Sequence, residues 1–348
     1  MTPDPIADLC AVLRGERDVP VGEAGARLAA LARRHRVDRL LPDRTDHSSR
    51  LNALFDELST RELTSVLKDL EAEGLEPLVF KGMALAHTHY PQSWMRPRLD
   101  TDILIAPKSR DRAFELLRSR GYEEPPVASG SLVSYQAMFV RRNEVGGEHV
   151  IDLHWRIANP QIVAGVSSHA ELVARANRVA LSGRNSMRVP SSVDALLIAC
   201  LHRTAHHADA DDLIWVYDIH LIATHLEAGQ WRRFVEAAID RQIAGISARG
   251  LSLAVGRFHT DVPDGVIRRL SAMQEPSAVL LRKDLRPVDR LAVDLTALGP
   301  RQRARLLREH VFPPAAYVRK KYGVQRVAML PALYAYRIVA GAARWFRR

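Results

Sequence analysis

Residues 96–105 read Arg-Pro-Arg-Leu-Asp-Thr-Asp-Ile-Leu-Ile, and this stretch decides the local fold and the place where chemistry can occur. From Leu99 to Ile103 one set of alternate side chains begins and ends with an apolar residue, and the other set consists of carboxylates. This period of two predicts a half-buried strand. Because side chains at i and i+2 of a strand point to the same side, Asp100 and Asp102 share a face. Two such carboxylates repel each other unless a cation lies between them, and Mg²⁺ takes hard oxygen ligands while leaving positions for phosphate oxygens. The stretch therefore predicts a magnesium site, against the alternative of a solvated edge strand.

Further strands and helices are predicted on both sides of this stretch. Upstream, the apolar run 77–80 lies between turn residues and is a strand candidate, and residues 83–89 form a short helix. Downstream, the pattern predicts a helix at 110–120 and two strands at 136–141 and 149–157, with Gly146-Gly147 as the hairpin turn.

The last of these strands supplies a third carboxylate. Asp152 and His154 point to one side of it, and Ile151 and Leu153 point to the other. Beside the first two aspartates, Asp152 would complete a site for two metal ions. One ion would activate an attacking hydroxyl, and the other would hold a triphosphate and the leaving pyrophosphate.

Cationic residues near the aspartates form the predicted nucleotide-binding set. Lys81, Arg96 and Arg98 can neutralise the charge of a triphosphate. Gly82 follows a strand, at a point where backbone N–H groups can approach a phosphate.

The rest of the chain is predicted to be helical, so the fold class is α+β. Apolar spacing of three and four residues predicts helices at 4–13, 21–34 and 48–73, and helices again from about 167 to 306. We predict four parts: an N-terminal helical segment (1–75), a core with a small mixed sheet (76–160), a helical domain (161–310) and a basic amphipathic tail (311–348).

Several ordered motifs carry a resemblance to a known family. These are Leu-Val-Phe-Lys-Gly at 78–82, Tyr-Pro at 90–91, the stretch 96–105, the helix end at 117–122, the strand at 151–155, and the helical motifs at 201–206 and 215–219. In this order they resemble the bacterial uncharacterised nucleotidyltransferases of the DNA polymerase beta superfamily. The turn Lys81-Gly82-Met83 departs from the Gly-Ser or Gly-Gly turn that is usual in the superfamily, and the interval from Gly82 to Asp100 is longer than in many members.

The resemblance implies a polymerase-beta-like core and a magnesium-dependent transfer of a nucleoside monophosphate from an NTP such as ATP, with release of pyrophosphate. Asp100, Asp102 and Asp152 would bind the metal ions and carry the catalysis. The acceptor stays open. A small molecule is our first expectation, RNA such as a tRNA end the second, and a peptide or protein the third. A catalytically degenerate binding protein on the same fold is a further alternative. We expect Asp102→Asn to abolish activity without unfolding the chain, because the clustered carboxylates repel one another.

A group of polar residues in the helical part is predicted to face the acceptor. His202 and His206 are four residues apart on a helix, a spacing that suits zinc, but no third ligand is evident. We place His202, His206 and Asp218 as candidates for the acceptor cleft, with a structural role at a helix interface or on a polar helix face as the alternative. His154, on the strand with Asp152, is a further candidate, and its alternative is a hydrogen bond near the metal carboxylates.

Charge and cysteine content bear on the kind of binding partner and on the cellular location. The formal net charge of +10 and the pI near 10.0 favour anionic partners without choosing among nucleic acid, nucleotides and membrane surfaces. The two cysteines are far apart, and the first residues lack a signal-peptide pattern, so we expect a cytoplasmic protein. For the basic tail we favour a helix docked on the body, over contact with a membrane surface or with RNA.

Overall fold

The computed structural model describes residues 4–42, 46–126, 130–142, 147–181 and 185–346. The strands in these ranges are β1 (Leu78–Phe80), β2 (Thr101–Leu104), β3 (Gln136–Arg142), β4 (Glu148–His154), β5 (Asn177–Ala180) and β6 (Ser186–Val189). The helices are α1 (Pro5–Leu13), α2 (Gly22–Arg34), α3 (Asp46–Ala72), α4 (Lys81–Thr88), α5 (Arg110–Ser119), α6 (His169–Ala174), α7 (Ser192–Ala205), α8 (Leu213–Thr224), α9 (Ala228–Asp240), α10 (Ala244–Phe258), α11 (Val266–Ser271), α12 (Pro287–Thr296), α13 (Pro300–Val311), α14 (Ala315–Tyr322) and α15 (Leu330–Phe346).

The central sheet is small and mixed, which confirms the predicted α+β class. Its strand order is β1-β2-β4-β3, with β2 and β4 parallel and the two outer pairs antiparallel. The four predicted strands correspond to β1 to β4. Asp102 lies inside β2 and Asp100 just before it. Of the predicted turn Gly146-Gly147, Gly146 lies outside the described residues.

The sheet separates two hydrophobic cores. Alternate residues of β1 and β2, namely Val79 and Ile103, face a core built with α3 and α5. Leu78, Phe80 and Leu104 face the second core, built with α1, α2 and α7 to α11. Asp102 alternates in step with Leu104, so its carboxylate is on the side of the second core.

One part of the secondary-structure prediction is wrong. Residues 167–306 were expected to be helical throughout, but β5 and β6 form a two-stranded antiparallel sheet within them. Met187 and Val189 of β6 are buried while Arg188 between them contacts Glu71, so the stretch follows a period of two. The prediction of helical spacing in this part of the chain was therefore wrong, because its side chains repeat every two residues.

The C-terminal helices pack on one another and on the body. Leu306 of α13 enters the core beside the sheet, and α15 packs against α12 and α14. The carboxylate of Glu309 accepts hydrogen bonds from the backbone N–H groups of Ser131, Leu132 and Val133. None of the described helices is both long enough and apolar enough to cross a membrane.

Candidate active site

The pairing of β2 with β4 brings two of the predicted aspartates together. Asp102 and Asp152 are directly opposite in the parallel register, so their side chains are neighbours on one face. His154 follows two residues later on that face. Ligand atoms of Asp102, Asp152 and His154 all lie within 4.8 Å of one another, so this group can hold a metal ion. Asp100 is exposed at the edge of the cavity that the group lines.

Lys81 is the cation closest to this group. Its Nζ donates to Asp102 Oδ1 at 2.6 Å and lies 3.4 Å from His154 Nε2. The backbone of Lys81 has φ +53°, a conformation that non-glycine residues seldom adopt and that tends to occur at functional sites. The chain takes it at the junction where β1 ends and α4 begins. This turn therefore holds the ammonium group against the carboxylates.

The charges of the site shift the acid strengths of its members. Burial would raise the pKa of Asp102, but the ammonium of Lys81 and the hydrogen bond with His154 outweigh it and hold this pKa below its ordinary range. Reduced solvation in the cavity and the charges of Asp102 and Asp152 raise the pKa of Asp100 to about 6. The two members of the predicted pair thus differ in their affinity for protons, which is common at functional sites.

Asp152 is oriented through one of its oxygens. Gln136 Nε2 donates to Asp152 Oδ2 at 2.6 Å, and His154 Nε2 lies 3.3 Å from the same oxygen. The other oxygen, Oδ1, is buried and has no hydrogen-bond partner among the described residues. A buried carboxylate oxygen without a partner is costly, so an additional group is expected to contact it.

Arg96 and Arg98 each bind a carboxylate of the protein. Arg96 is buried and forms two hydrogen bonds with Asp218, from Nε to Oδ1 at 2.8 Å and from Nη2 to Oδ2 at 2.7 Å. Tyr90 donates to the same carboxylate at 2.7 Å. Arg98 pairs with Asp56 of α3. These contacts join the segment before Asp100 to α8 and α3, so both arginines fix the position of that segment.

Three histidines also line the cavity. His202, His206 and His207 lie at the end of α7, and His207 stacks on Trp215 with 3.8 Å between ring centroids. Burial lowers the pKa of His206 to about 3 and that of His207 to about 4, so both are neutral at physiological pH. Buried His202 Nδ1 and His206 Nε2 have no partner among the described residues.

All the predicted site residues except buried His154, which touches Lys81 and Asp102, line one cavity of about 300 Å³. Among the further residues that line this cavity are Arg36, Gln136, His207 and Trp215, which the sequence patterns did not single out for the site. Arg36 comes from the turn after α2 and lies over the Trp215 ring at 4.6 Å. Its φ of +57° has no signature in the sequence. Gln136 begins a predicted strand. The alternation of side chains along that strand was the one sequence feature that could have indicated which way Gln136 points.

Comparison with known proteins gives the family. The profile of a family described as uncharacterised nucleotidyltransferase matches residues 23–259. The match covers more than half of the chain and contains every predicted site residue, so the chain belongs to this family. No curated protein matches the sequence.

Proposed function

We propose that this member of the uncharacterised nucleotidyltransferases transfers a nucleoside monophosphate from an NTP, ATP among the candidates, to a hydroxyl or phosphate of a small molecule, using Mg²⁺. One observation carries the proposal. Asp102 and Asp152 are opposite each other on parallel strands, with Asp100 at the edge of the same cavity. Such clustered carboxylates suit a pair of divalent cations and the phosphates that these cations bind.

The donor set fits magnesium. Asp100, Asp102 and Asp152 offer hard carboxylate oxygens, and Asp152 Oδ1 is buried without a partner among the described residues. His154 contacts both Asp102 and Asp152, so it would orient these two ligands. Bound ions would supply charge neutralisation of the phosphates and a more acidic acceptor hydroxyl.

The N-terminus of α4 is the proposed phosphate site. The first N–H groups of a helix lack intrahelical partners and suit anions, and Gly82 in this turn lines the cavity. Lys81 would move from Asp102 to the phosphates once other cations compensate the carboxylate. Arg96 and Arg98, which we predicted as triphosphate ligands, keep that role as a proposal. Their contacts with Asp218 and Asp56 support a positioning role beside it.

Asp152 is the proposed general base, which takes the proton of the attacking hydroxyl. The acceptor oxygen attacks the α-phosphorus, a new P–O bond forms, and the bond to the bridging oxygen breaks as pyrophosphate leaves. The proton of the hydroxyl passes to Asp152, whose Oδ2 is held by Gln136 while Oδ1 has no partner among the described residues.

A small-molecule acceptor is supported by the size and charge of the site. A cavity of about 300 Å³ is at the lower end of the range for small-molecule sites. Residues 1–299 contain every residue that lines it and carry a formal charge of −1, with 38 Lys and Arg against 39 Asp and Glu. The basic character of the protein therefore does not favour RNA at this site, and RNA and peptides stay alternatives. His202, His206 and Asp218 would border the acceptor or the base. The cytoplasmic location is also a proposal, supported by two buried free cysteines.

Transfer of label from α-labelled NTPs tests the proposal. Protein with Mg²⁺ is incubated with small-molecule extract, total RNA or total protein, and the labelled fraction is identified. We expect label in the small-molecule fraction and a loss of at least a hundredfold in Asp152→Asn, because a metal ligand and proton acceptor is removed. Asp264→Asn, an exposed aspartate remote in sequence from the site, is the matched control and should keep full turnover.

Each contrary outcome has a defined meaning. Label in RNA or protein instead would replace the small-molecule acceptor but keep the reaction class. Full turnover in Asp152→Asn would refute the assignment of the carboxylates. If no NTP binds the wild-type protein and no fraction is labelled, the chain is a degenerate binding protein.

A further inference from the structure

The net positive charge of this protein comes from its C-terminal segment. Residues 300–348 hold 12 of the 50 Lys and Arg residues but 1 of the 40 Asp and Glu residues, a formal charge of +11. The one carboxylate, Glu309, is bound to the backbone of residues 131–133. Lys320, Lys321 and Arg326 are exposed. This segment thus presents cations to solvent with almost no compensating anion of its own.

The same segment exposes apolar side chains that its packing leaves uncovered. α15 packs on α12 and α14, and Tyr334 on its inner side donates to the carbonyl of Pro313. Tyr336 is 60% exposed, Val339 is 76% exposed, and Val327 in the preceding turn is 62% exposed. Between residues 330 and 341 the one charged residue is Arg337. A helix that is apolar on its packed and its open sides is expected to be covered on both.

We infer that this outer face of the tail (Lys320, Lys321, Arg326, Val327, Tyr336 and Val339) docks on an anionic phospholipid surface. Cations draw the segment to acidic headgroups, and the apolar side chains then enter the boundary between headgroups and acyl chains. Tyrosine is favoured at that boundary. RNA would be attracted by the same cations, but it gives no reason for exposed valines beside them. The inference does not depend on the proposed reaction.

Vesicle sedimentation with the full chain tests this inference. We expect binding to vesicles of phosphatidylcholine with about one third phosphatidylglycerol, and none to phosphatidylcholine alone. The variant Lys320→Gln/Lys321→Gln/Arg326→Gln should lower the partition coefficient roughly a hundredfold, because each cation near an anionic surface contributes about fivefold. Tyr336→Ser/Val339→Ser should weaken binding at least tenfold, because these side chains enter the boundary region. All of these positions are exposed, so the variants should melt as the wild type does.

Matched controls distinguish the effect of where these residues lie from the effect of removing charge or apolar side chains anywhere on the protein. Arg232→Gln/Arg233→Gln/Arg268→Gln removes the same charge from exposed positions of the body, and Val21→Ser removes an exposed valine. Both should bind as the wild type does. Equal binding to neutral vesicles, or equal losses in the controls, would overturn the inference. So would an absence of vesicle binding together with RNA binding that the charge variant abolishes and the Tyr336→Ser/Val339→Ser variant retains.

Discussion

Replacing Lys81 with methionine tests whether an internal cation compensates the carboxylate cluster until metal ions bind. Methionine keeps the length and the apolar stem of lysine and removes the ammonium group. In the structure this group donates to Asp102 at 2.6 Å, and both side chains are more than nine-tenths buried. Without it, the Asp102 carboxylate keeps its hydrogen bond with His154 and lies beside Asp152.

The expected loss of stability follows from the burial of the pair. Removing one partner of a buried ion pair costs about 3–5 kcal/mol, which in a chain of this size lowers Tm by roughly 5 °C. The pH dependence has a definite sign. The pKa of Asp102 is depressed in the folded protein, so its contribution is present above about pH 4 and is lost only in stronger acid. The difference between wild type and variant should therefore be full at pH 7 and shrink as the pH falls below about 4.

The melting temperatures of the two proteins should also respond differently to magnesium. In the wild type a divalent ion competes with Lys81 for Asp102, whereas in Lys81→Met the carboxylates lack that cation. We expect Mg²⁺ to raise Tm more in Lys81→Met than in the wild type, because an ion that binds the folded state more tightly stabilises it more. Thermal melts in chelator and in Mg²⁺ measure this, with exposed Lys68→Met as the control. If Lys81→Met melts as the wild type in chelator and responds equally to Mg²⁺, Lys81 does not compensate the cluster.

Three further predictions concern stability. Arg96→Met leaves the Asp218 carboxylate buried without its cation and should lower the free energy of unfolding by about 3–5 kcal/mol in urea titrations; Arg96→Lys should not restore it, because the paired hydrogen bonds need a guanidinium. Burial raises the pKa of Asp294 from 3.8 to about 6, so its contribution to stability is lost as the pH rises through 6. Asp294→Asn should accordingly stabilise the protein by about 2 kcal/mol at pH 8 and by little at pH 4 in thermal melts; equal effects at both pH values would contradict this. Glu309→Gln weakens the hydrogen bonds to three backbone N–H groups by about 1–2 kcal/mol, and hydrogen exchange at residues 131–133 should accelerate; unchanged exchange would show that the Glu309 carboxylate does not hold these residues in place.

The structure also changes one expectation about Asp102. We expected Asp102→Asn to leave the fold undisturbed because like charges repel in this cluster. Asp102 is instead paired with Lys81 and His154, so the substitution leaves the buried ammonium without its carboxylate. Asp152→Asn removes a proposed ligand and keeps that ion pair, which makes it the cleaner test of catalysis.

Local pattern was enough to predict the α+β class and the elements that carry the aspartates. Period-two alternation at 99–103 and 150–154 placed Asp102 and Asp152 on strands, because a strand's side chains alternate whatever lies around it. The same reasoning failed for β5 and β6, which are four residues long, since so short a pattern cannot be distinguished from part of a helix. The ordered motifs added the family, which the match over residues 23–259 confirms.

Which side chains pair with each other across long stretches of sequence was decided by the tertiary structure alone. Arg96 and Arg98 had the charge expected of phosphate ligands, yet Arg96 meets Asp218, 122 positions along the chain, and Arg98 meets Asp56. The stack of His207 on Trp215, with Arg36 over the same ring, arises where α2, α7 and α8 converge. A sequence shows which side chains can carry charge or bind metal through their local periodicity. Which carboxylate each cation meets depends on how helices pack across the sheet, and that packing is set by the summed burial of apolar residues distributed over the whole chain.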